Sequence, residues 1–139
     1  LYTRLICDEF YGTTPEHGYG YGQDEDQGQL GAWYVMAAMG LFDVQGGTNI
    51  TPSYQIGSPK FRKITIKLDP RYYSGKTLVI ETENNAPDHY YVQSATLNGQ
   101  SLEDCWFYRR EIINGGHLKL QMDSTPNTRW GIASMPHSK

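Results

Sequence analysis

The hydrophobic residues of this 139-residue chain change their spacing partway along it, and this change limits the fold more than any other feature. In residues 1–11 the apolar residues recur at the intervals of an α-helix, and residues 27–42 are apolar nearly all round, as in a buried helix. From residue 61 onward they alternate with polar residues, as they do in a half-buried strand. The sequence therefore predicts an α+β protein in which helices precede a sheet.

The helical part contains two helices joined by a glycine-rich loop. Residues 1–11 place Leu1, Leu5, Ile6 and Phe10 on one helical face. Residues 12–26 have no periodicity, and residues 27–42 are apolar nearly all round, which is typical of a helix that is buried on most sides.

The second part contains short strands separated by turn residues. Asn98-Gly99 is a strong hairpin signal, and Asn114-Gly115-Gly116 is expected to join a strand containing Ile112 to the strand that follows. Strands at roughly ten-residue spacing favour a small antiparallel β-sandwich. The predicted strands include residues 61–68, 77–82, 91–97 and 117–122. We place the domain boundary near residues 45–55, which divides the chain into residues 1–45 and 46–139.

Composition excludes several classes of function. The formal net charge is −3 and no Lys/Arg cluster is present, so nucleic acid is not an expected partner. No apolar run approaches the roughly 20 residues of a membrane-spanning helix. Cys7 and Cys105 lack the spacing of a structural zinc site. Two separate buried thiols are favoured over a disulfide between them, although pairing stays open.

Three consecutive acids, Asp24-Glu25-Asp26, stand between the glycine-rich loop and the second helix. Residues i and i+2 of a loop can point to the same side, so Asp24 and Asp26 can converge to activate a water molecule or to bind calcium. The alternative is structural: Asp24 or Asp26 caps the helix and the other acids are solvated. An EF-hand is excluded because its ligand spacing and closing Glu are missing.

Several segments resemble landmarks of the family 92 glycoside hydrolases, in the same order along the chain. Residues 24–35, DEDQGQLGAWYV, are similar to a family signature that begins Gly-(Asn/Asp)-(Glu/Asp)-Asp and ends Ala-Trp-Tyr. The other matching segments are residues 36–42 (MAAMGLF), 54–61 (YQIGSPKF), 94–99 (SATLNG), 115–118 (GGHL) and 126–131 (PNTRWG).

This resemblance implies a calcium-dependent, inverting, exo-acting α-mannosidase that removes terminal α-linked mannose, with α-1,2 linkages expected, from mannose-containing glycans. The two helices would then come from an (α/α)6 barrel. By position, Asp26 is the expected general base, Asp24 assists it, and Asp26 is a candidate calcium ligand. Tyr19 and Tyr21 are weaker candidates for sugar stacking.

Nothing in this sequence matches the family's general acid or its Asn-Glu-Pro region, which the resemblance places upstream. We therefore expect a fragment that is inactive alone and needs the upstream part of its parent chain, which would carry Ca²⁺. Localisation by family habit would be secreted, periplasmic or cell-surface.

Two other functions stay open: an accessory or carbohydrate-binding β-sandwich without a catalytic role, and a structural fragment of a cell-surface protein. The first 45 residues are too few for a core of their own, so they must pack on other structure. If Trp33, Val35 and Met39 are exposed, self-association through the helices is expected.

Overall fold

The computed structural model describes residues 1–11 and 27–136. Two helices come first, α1 (Tyr2–Glu9) and α2 (Gln29–Met39), which confirms the predicted helical part. Eight strands and a short 3-10 helix, Arg109–Glu111, follow. The strands are β1 (Leu41–Phe42), β2 (Ser53–Ile56), β3 (Lys63–Lys67), β4 (Thr77–Glu83), β5 (Tyr91–Leu97), β6 (Gln100–Leu102), β7 (Trp106–Tyr108) and β8 (Gly116–Asp123).

The larger sheet has five strands in the order β3-β4-β8-β5-β6. β8 pairs with β5 antiparallel and with β4 parallel, so the sheet is mixed and the expectation of a purely antiparallel arrangement was wrong. The reason is geometric: β4 and β5 run in opposite directions, and a strand inserted between them must be parallel to one of the two.

The smaller sheet has three antiparallel strands in the order β1-β2-β7. Its third strand, β7, ends at Tyr108, four residues before Ile112. The sequence predicted that a strand containing Ile112 would form a hairpin with β8. Ile112 instead follows the 3-10 helix and is buried in the core, so that expectation was wrong. The side chain of Glu111 accepts a hydrogen bond from the backbone N–H of Tyr108 at 2.8 Å, which favours the tight 3-10 turn over an extended chain.

The hairpin signal at Asn98-Gly99 is confirmed. Leu97 pairs with Gln100, and the two residues between them have φ angles of 52° and 83°. Positive φ at both central residues is the property of a type I′ turn, whose twist matches that of the flanking strands.

Both sheets contribute to one hydrophobic core. The central strand β8 supplies Leu118, Leu120 and Met122, which are completely buried, and the smaller sheet supplies Leu41 and Phe107. Met36 and Met39 of α2 pack against the same core. The helices are therefore attached to the sheets through α2 and through β1, which follows it directly.

At the α2–β1 junction the backbone of Gly40 lies close to the ring of Pro59. Gly40 ends α2 with φ of 75°, and its N–H donates to the carbonyl oxygen of Ala37 at 3.0 Å. A Cβ at Gly40 would lie 2.5 Å from Cγ of Pro59. The N–H of Gly57 in turn donates to the carbonyl oxygen of Gly40 at 2.7 Å, which holds the Gly57–Lys60 segment against the end of the helix.

Candidate functional site

The residues predicted to carry the chemistry lie outside the described part of the chain. Asp24, Asp26, Tyr19 and Tyr21 all belong to residues 12–26. What the structure describes is the frame on both sides of that segment: α1 and Tyr11 before it, and Gln27 and α2 after it.

The chain enters α2 through two successive left-handed residues. Gln27 has φ of 62° and Gly28 has φ of 87°. Gly28 is the N-cap, and its carbonyl oxygen accepts the N–H of Ala32 at 3.0 Å. The N-cap residue is therefore Gly28, two residues after the last acid, while Asp24 and Asp26, the alternative candidates for capping, lie outside the described residues.

An aromatic cluster holds the residue before the segment against the helix after it. We define this cluster as Tyr11, Trp33 and Tyr34. The ring of Tyr11 stacks on Trp33 with centroids 5.1 Å apart and an interplanar angle of 19°, and it lies 5.4 Å from the ring of Tyr34. Such pairs contribute about 0.5–1.5 kcal/mol beyond the area they bury. One face of Trp33 is thereby covered, which agrees with packing rather than sugar stacking for this ring.

Lys60 connects the same two helices from the other side. Its ammonium forms a salt bridge with Asp8 of α1 and lies 5.7 Å from the centroid of Tyr34 of α2. Burial opposes the charge on Lys60, but the hydrogen bond and the charge of Asp8 outweigh it, so the pKa of Lys60 is raised. Lys60 therefore stays an ammonium across the physiological range.

Arg4 holds α1 against the loops at the edge of the larger sheet. Only 5% of Arg4 is exposed, and its Nη1 donates to the carbonyl oxygen of Ala86 at 2.9 Å. Its Nη2 donates to Asn85 Oδ1 at 2.6 Å and to the carbonyl oxygen of Pro59. Desolvation lowers the pKa of Arg4, but a guanidinium remains charged. A fourth, longer bond of 3.4 Å runs from Nη1 to the carbonyl oxygen of His89, so the planar fork fits four acceptors from two loops.

A cleft of about 330 Å³ lies beside these contacts, and its lining carries both signs of charge. Arg4 and Lys60 are already paired with acceptors of the chain itself, whereas Arg62 is exposed. The lining residues are Arg4, Asp8, Lys60, Arg62, Asn85, Ala86 and Pro87. Since Arg4 and Lys60 both bond to groups of the chain itself, these contacts stabilise the attachment of the helices.

Other expectations can be placed on the described residues. Cys7 is buried, Cys105 is half-buried, and both are free thiols, so they do not pair. Within residues 1–11 and 27–136, no group of three or more His, Cys, Asp or Glu side chains is arranged to hold a metal ion. Neither helix in those ranges is long and apolar enough to span a membrane.

Sequence reasoning did not single out Arg4 or Lys60 as structural residues. A signal for Arg4 existed, because it lies three residues before Cys7 and so shares the buried face of α1. Lys60 belongs to the YQIGSPKF segment, but nothing in that segment shows that its partners are Asp8 and Tyr34, which are distant in sequence.

Comparison with known proteins decides the family. A model of the glycosyl hydrolase family 92 catalytic domain matches residues 2–124, most of the chain. The chain belongs to glycosyl hydrolase family 92. The resemblance noted in the sequence is therefore confirmed.

Solved structures of family 92 mannosidases share the fold. A family 92 α-mannosidase from Bacteroides thetaiotaomicron is 30% identical, with a TM-score of 0.80 over 95% of this chain and 16% of its own. An inverting mannosidase of the same family and organism is 40% identical, with a TM-score of 0.76 over 94% of this chain and 16% of its own. Both carry the helices and sheets described above in a comparable arrangement.

A curated relative comes from the fungus Arthroderma benhamiae and is named an uncharacterized secreted glycosidase. It is 33% identical over 110 residues, which are 78% of this chain and 13% of the relative. The chain thus spans about one sixth or less of the length of the family 92 proteins that it matches.

Proposed function

We propose that this chain supplies the general-base region of an inverting, calcium-dependent, exo-acting α-mannosidase. Asp26 is the base and Asp24 assists it or shares the role. The observation that carries the proposal is the acidic triplet, which stands directly before α2 within a family signature. The 40% identity to a mannosidase described as inverting supports the stereochemical part.

The proposed chemistry is a single displacement at the anomeric carbon. The carboxylate of Asp26 takes a proton from a water molecule, whose oxygen bonds to the anomeric carbon as the glycosidic C–O bond breaks. A general acid outside this chain gives a proton to the departing oxygen. In inverting enzymes the two carboxyl groups stand about 6.5–9.5 Å apart, which leaves room for the water.

The start of α2 suits a carboxylate that must stay ionised. The first backbone N–H groups of a helix carry partial positive charge and lower the pKa of a nearby carboxyl group. Asp26 lies three residues before Gln29, the first residue of α2. A base that acts at neutral pH must be deprotonated before the sugar binds, so this location favours the role.

Calcium would act together with these residues in the intact enzyme. The ion supplies positive charge near the sugar hydroxyls when it is bound. Asp26 is the candidate ligand in this chain, as the family resemblance implies. Most of the ligands are expected outside the chain, and Tyr19 and Tyr21 are proposed as stacking residues for the sugar.

The finer assignments follow the same proposal. The two helices would belong to an (α/α)6 barrel, the glycans would carry terminal α-1,2-linked mannose, and the chain alone would be inactive because it lacks the acid. A secreted, periplasmic or cell-surface location is proposed from the name of the fungal relative.

The test is mannose release from α-1,2-mannobiose by the full-length protein that contains this chain, with and without a calcium chelator. Asp26→Asn should lower kcat by about 10²–10⁴-fold, the range expected for loss of a general base. Glu25→Gln is the matched control, since it removes a neighbouring charge without a proposed role. The first sugar product, followed by NMR, should have the β configuration.

Two outcomes would contradict the proposal. Wild-type turnover in Asp26→Asn would reduce the acidic triplet to solvated loop residues and place the base elsewhere. A full-length protein that hydrolyses no mannoside would favour an accessory or carbohydrate-binding role instead.

A further inference from the structure

The cleft beside α1 carries an excess of positive charge. Three cations, Arg4, Lys60 and Arg62, line it together with one acid, Asp8, so the formal charge of its lining is +2. Asp8 forms a salt bridge with Lys60. The charges of the two arginines are therefore not balanced by any acid that lines the cleft.

Arg4 supplies a positive charge that is buried and bonded only to neutral groups. The residue is 5% exposed, and the guanidinium donates to three carbonyl oxygens and to the amide oxygen of Asn85. Its Nε is also buried and has no hydrogen-bond partner among the described residues. Because the loss of hydration is costly, buried charges are usually paired with an opposite charge. An anion in the cleft would offset part of that cost.

Arg62 supplies a positive charge that solvent can reach. Its carbonyl oxygen accepts the N–H of Thr82 at 2.8 Å and the Thr82 hydroxyl at 3.3 Å, so its backbone is fixed just before β3. Its side chain is exposed and forms no hydrogen bond or ion pair within residues 1–11 and 27–136. A guanidinium presents its donors in a planar fork that matches two oxygens of a carboxylate or phosphate. Arg62 can therefore bind a ligand from solvent without breaking an existing contact.

The size and chemistry of the cleft suit a small anion. Its volume of about 330 Å³ is roughly ten times the share of one water molecule in the liquid, about 30 Å³. A tetrahedral oxyanion and part of its hydration shell fit in that space. The other lining residues, Asn85, Ala86 and Pro87, carry no charge, so Asp8 is the one lining residue that repels an anion.

We propose that this cleft binds an oxyanion, with Arg62 as the direct contact and Arg4 as the buried charge that attracts it. Lys60 contributes less, because its ammonium is engaged by Asp8. The same chemistry has two sources: a free anion or anionic substituent that enters from solvent, or a carboxylate from the part of the parent protein outside this chain. The inference does not depend on the proposed role of Asp26.

The experiment titrates inorganic sulfate into the full-length protein that contains this chain, by calorimetry at pH 7 and constant ionic strength, with chloride as the reference anion. Arg62→Met removes the direct contact, and Asp8→Asn removes the acid of the lining. Arg129→Met is the matched control, since Arg129 is also an exposed arginine but does not line the cleft. Because Arg62 is exposed, its replacement is expected to fold.

For an anion that enters from solvent, Arg62→Met should weaken sulfate binding by about 10-fold or more, the value of one charge-assisted hydrogen bond. Asp8→Asn should strengthen binding by about 2- to 5-fold, because the lining gains a positive charge and Lys60 loses its partner. Arg129→Met should bind like wild type. The opposite signs of the first two effects distinguish a charged site from a general loss of structure.

For a carboxylate of the parent protein, the cleft is already filled, and Arg62→Met removes no sulfate binding. Arg62→Met should then lower the thermal midpoint of the full-length protein more than Arg129→Met does, and the difference should shrink in about 1 M NaCl, where charges are screened. Two results would overturn the inference. One is equal sulfate binding in wild type and Arg62→Met together with equal thermal midpoints for Arg62→Met and Arg129→Met. The other is sulfate binding that Asp8→Asn weakens.

Discussion

The guanidinium of Arg4, in the first helix, donates a 2.9 Å hydrogen bond to the carbonyl oxygen of Ala86, in the loop after β4. These residues are 82 positions apart, so the contact joins the helical part of the chain to the loop between β4 and β5 of the larger sheet. Removing Arg4 takes the charged donor away from Asn85 Oδ1 and from the carbonyl oxygens of Ala86 and Pro59. The two carbonyl oxygens keep only their neutral donors, the N–H of His89 and the side-chain amide of Asn85. A hydrogen bond from a charged group contributes about 1.5–3 kcal/mol.

We expect Arg4→Met to lower the free energy of unfolding by about 2–4 kcal/mol, because buried acceptors lose a charged donor. Urea denaturation of the chain, followed by circular dichroism, measures this change. The free energy of unfolding of Arg4→Lys should lie between those of wild type and Arg4→Met, since one ammonium cannot reproduce the planar fork. Arg71→Met is the control, because Arg71 is solvent-exposed, and it should leave the denaturation midpoint unchanged. Equal midpoints for Arg4→Met and Arg71→Met would contradict the structural role of Arg4.

Gly40→Ala tests the contact between α2 and Pro59. The new Cβ would stand 2.5 Å from Pro59 Cγ and 2.8 Å from Pro59 N at a left-handed φ of 75°. We expect a loss of at least about 3 kcal/mol in the free energy of unfolding, which combines conformational strain with a clash against backbone. Gly47→Ala is a matched control, because Gly47 has φ of 77° but a Cβ at that residue would have no atom within 4 Å. Its cost should be only the left-handed strain of about 1–2 kcal/mol.

Cys7 should resist thiol reagents until the chain unfolds. The residue is buried, and burial raises the pKa of its thiol, so both access and thiolate population are low. We expect mass spectrometry at pH 8 to show labelling of Cys105 before Cys7 in buffer, and of both in urea.

The raised pKa of the Cys7 thiol also has a thermodynamic consequence. The unfolded chain releases the thiol proton at lower pH than the folded chain, so this contribution to stability is present below the unfolded pKa and decreases as pH rises above it. Cys7→Ala should remove that alkaline decrease, and an unaltered pH dependence would contradict it.

Self-association of the isolated chain through its helices remains a prediction. Val35 is 55% exposed and Tyr2 is 74% exposed, while Trp33 and Met39 are half-buried. Exposed apolar side chains on both helices favour association. We expect light scattering to show a mass that rises with concentration, and Val35→Glu to reduce the rise. Ile50→Glu is the control, because Ile50 is 96% exposed but lies in the loop between β1 and β2 rather than on the helices. A monomer at high concentration would exclude the association.

Strands with clear alternation were predicted well from the sequence, and the reason is local. β4 lies at Thr77–Glu83 and β5 at Tyr91–Leu97, close to the predicted segments, because one buried face imposes a period of two. The two short strands β1 and β2 carry too few residues to show a period. Ile112 was misassigned for a related reason: burial of a single apolar residue is compatible with a strand or with a turn that packs on the core.

The active-site assignment stays a prediction. The acidic triplet is a candidate that the sequence offers by itself, because its three residues are adjacent and precede a helix. The frame around it could not be predicted, since Lys60 meets Asp8 across 52 positions and Arg4 meets Asn85 across 81. Pairings over such separations depend on how the helices dock on the sheets, which no local pattern encodes.

The sequence by itself determined the order of helices and strands, the turn at Asn98-Gly99 and the family, because each depends on residues close together in the chain or on an ordered set of motifs. The tertiary structure alone decided that β8 lies between β4 and β5 and is parallel to one of them. It also decided that Lys60 and Arg4 fasten α1 to the rest of the molecule. Strand order and the long-range contacts of charged side chains are set by the global minimum of packing and solvation, in which residues far apart in sequence compete for the same partners.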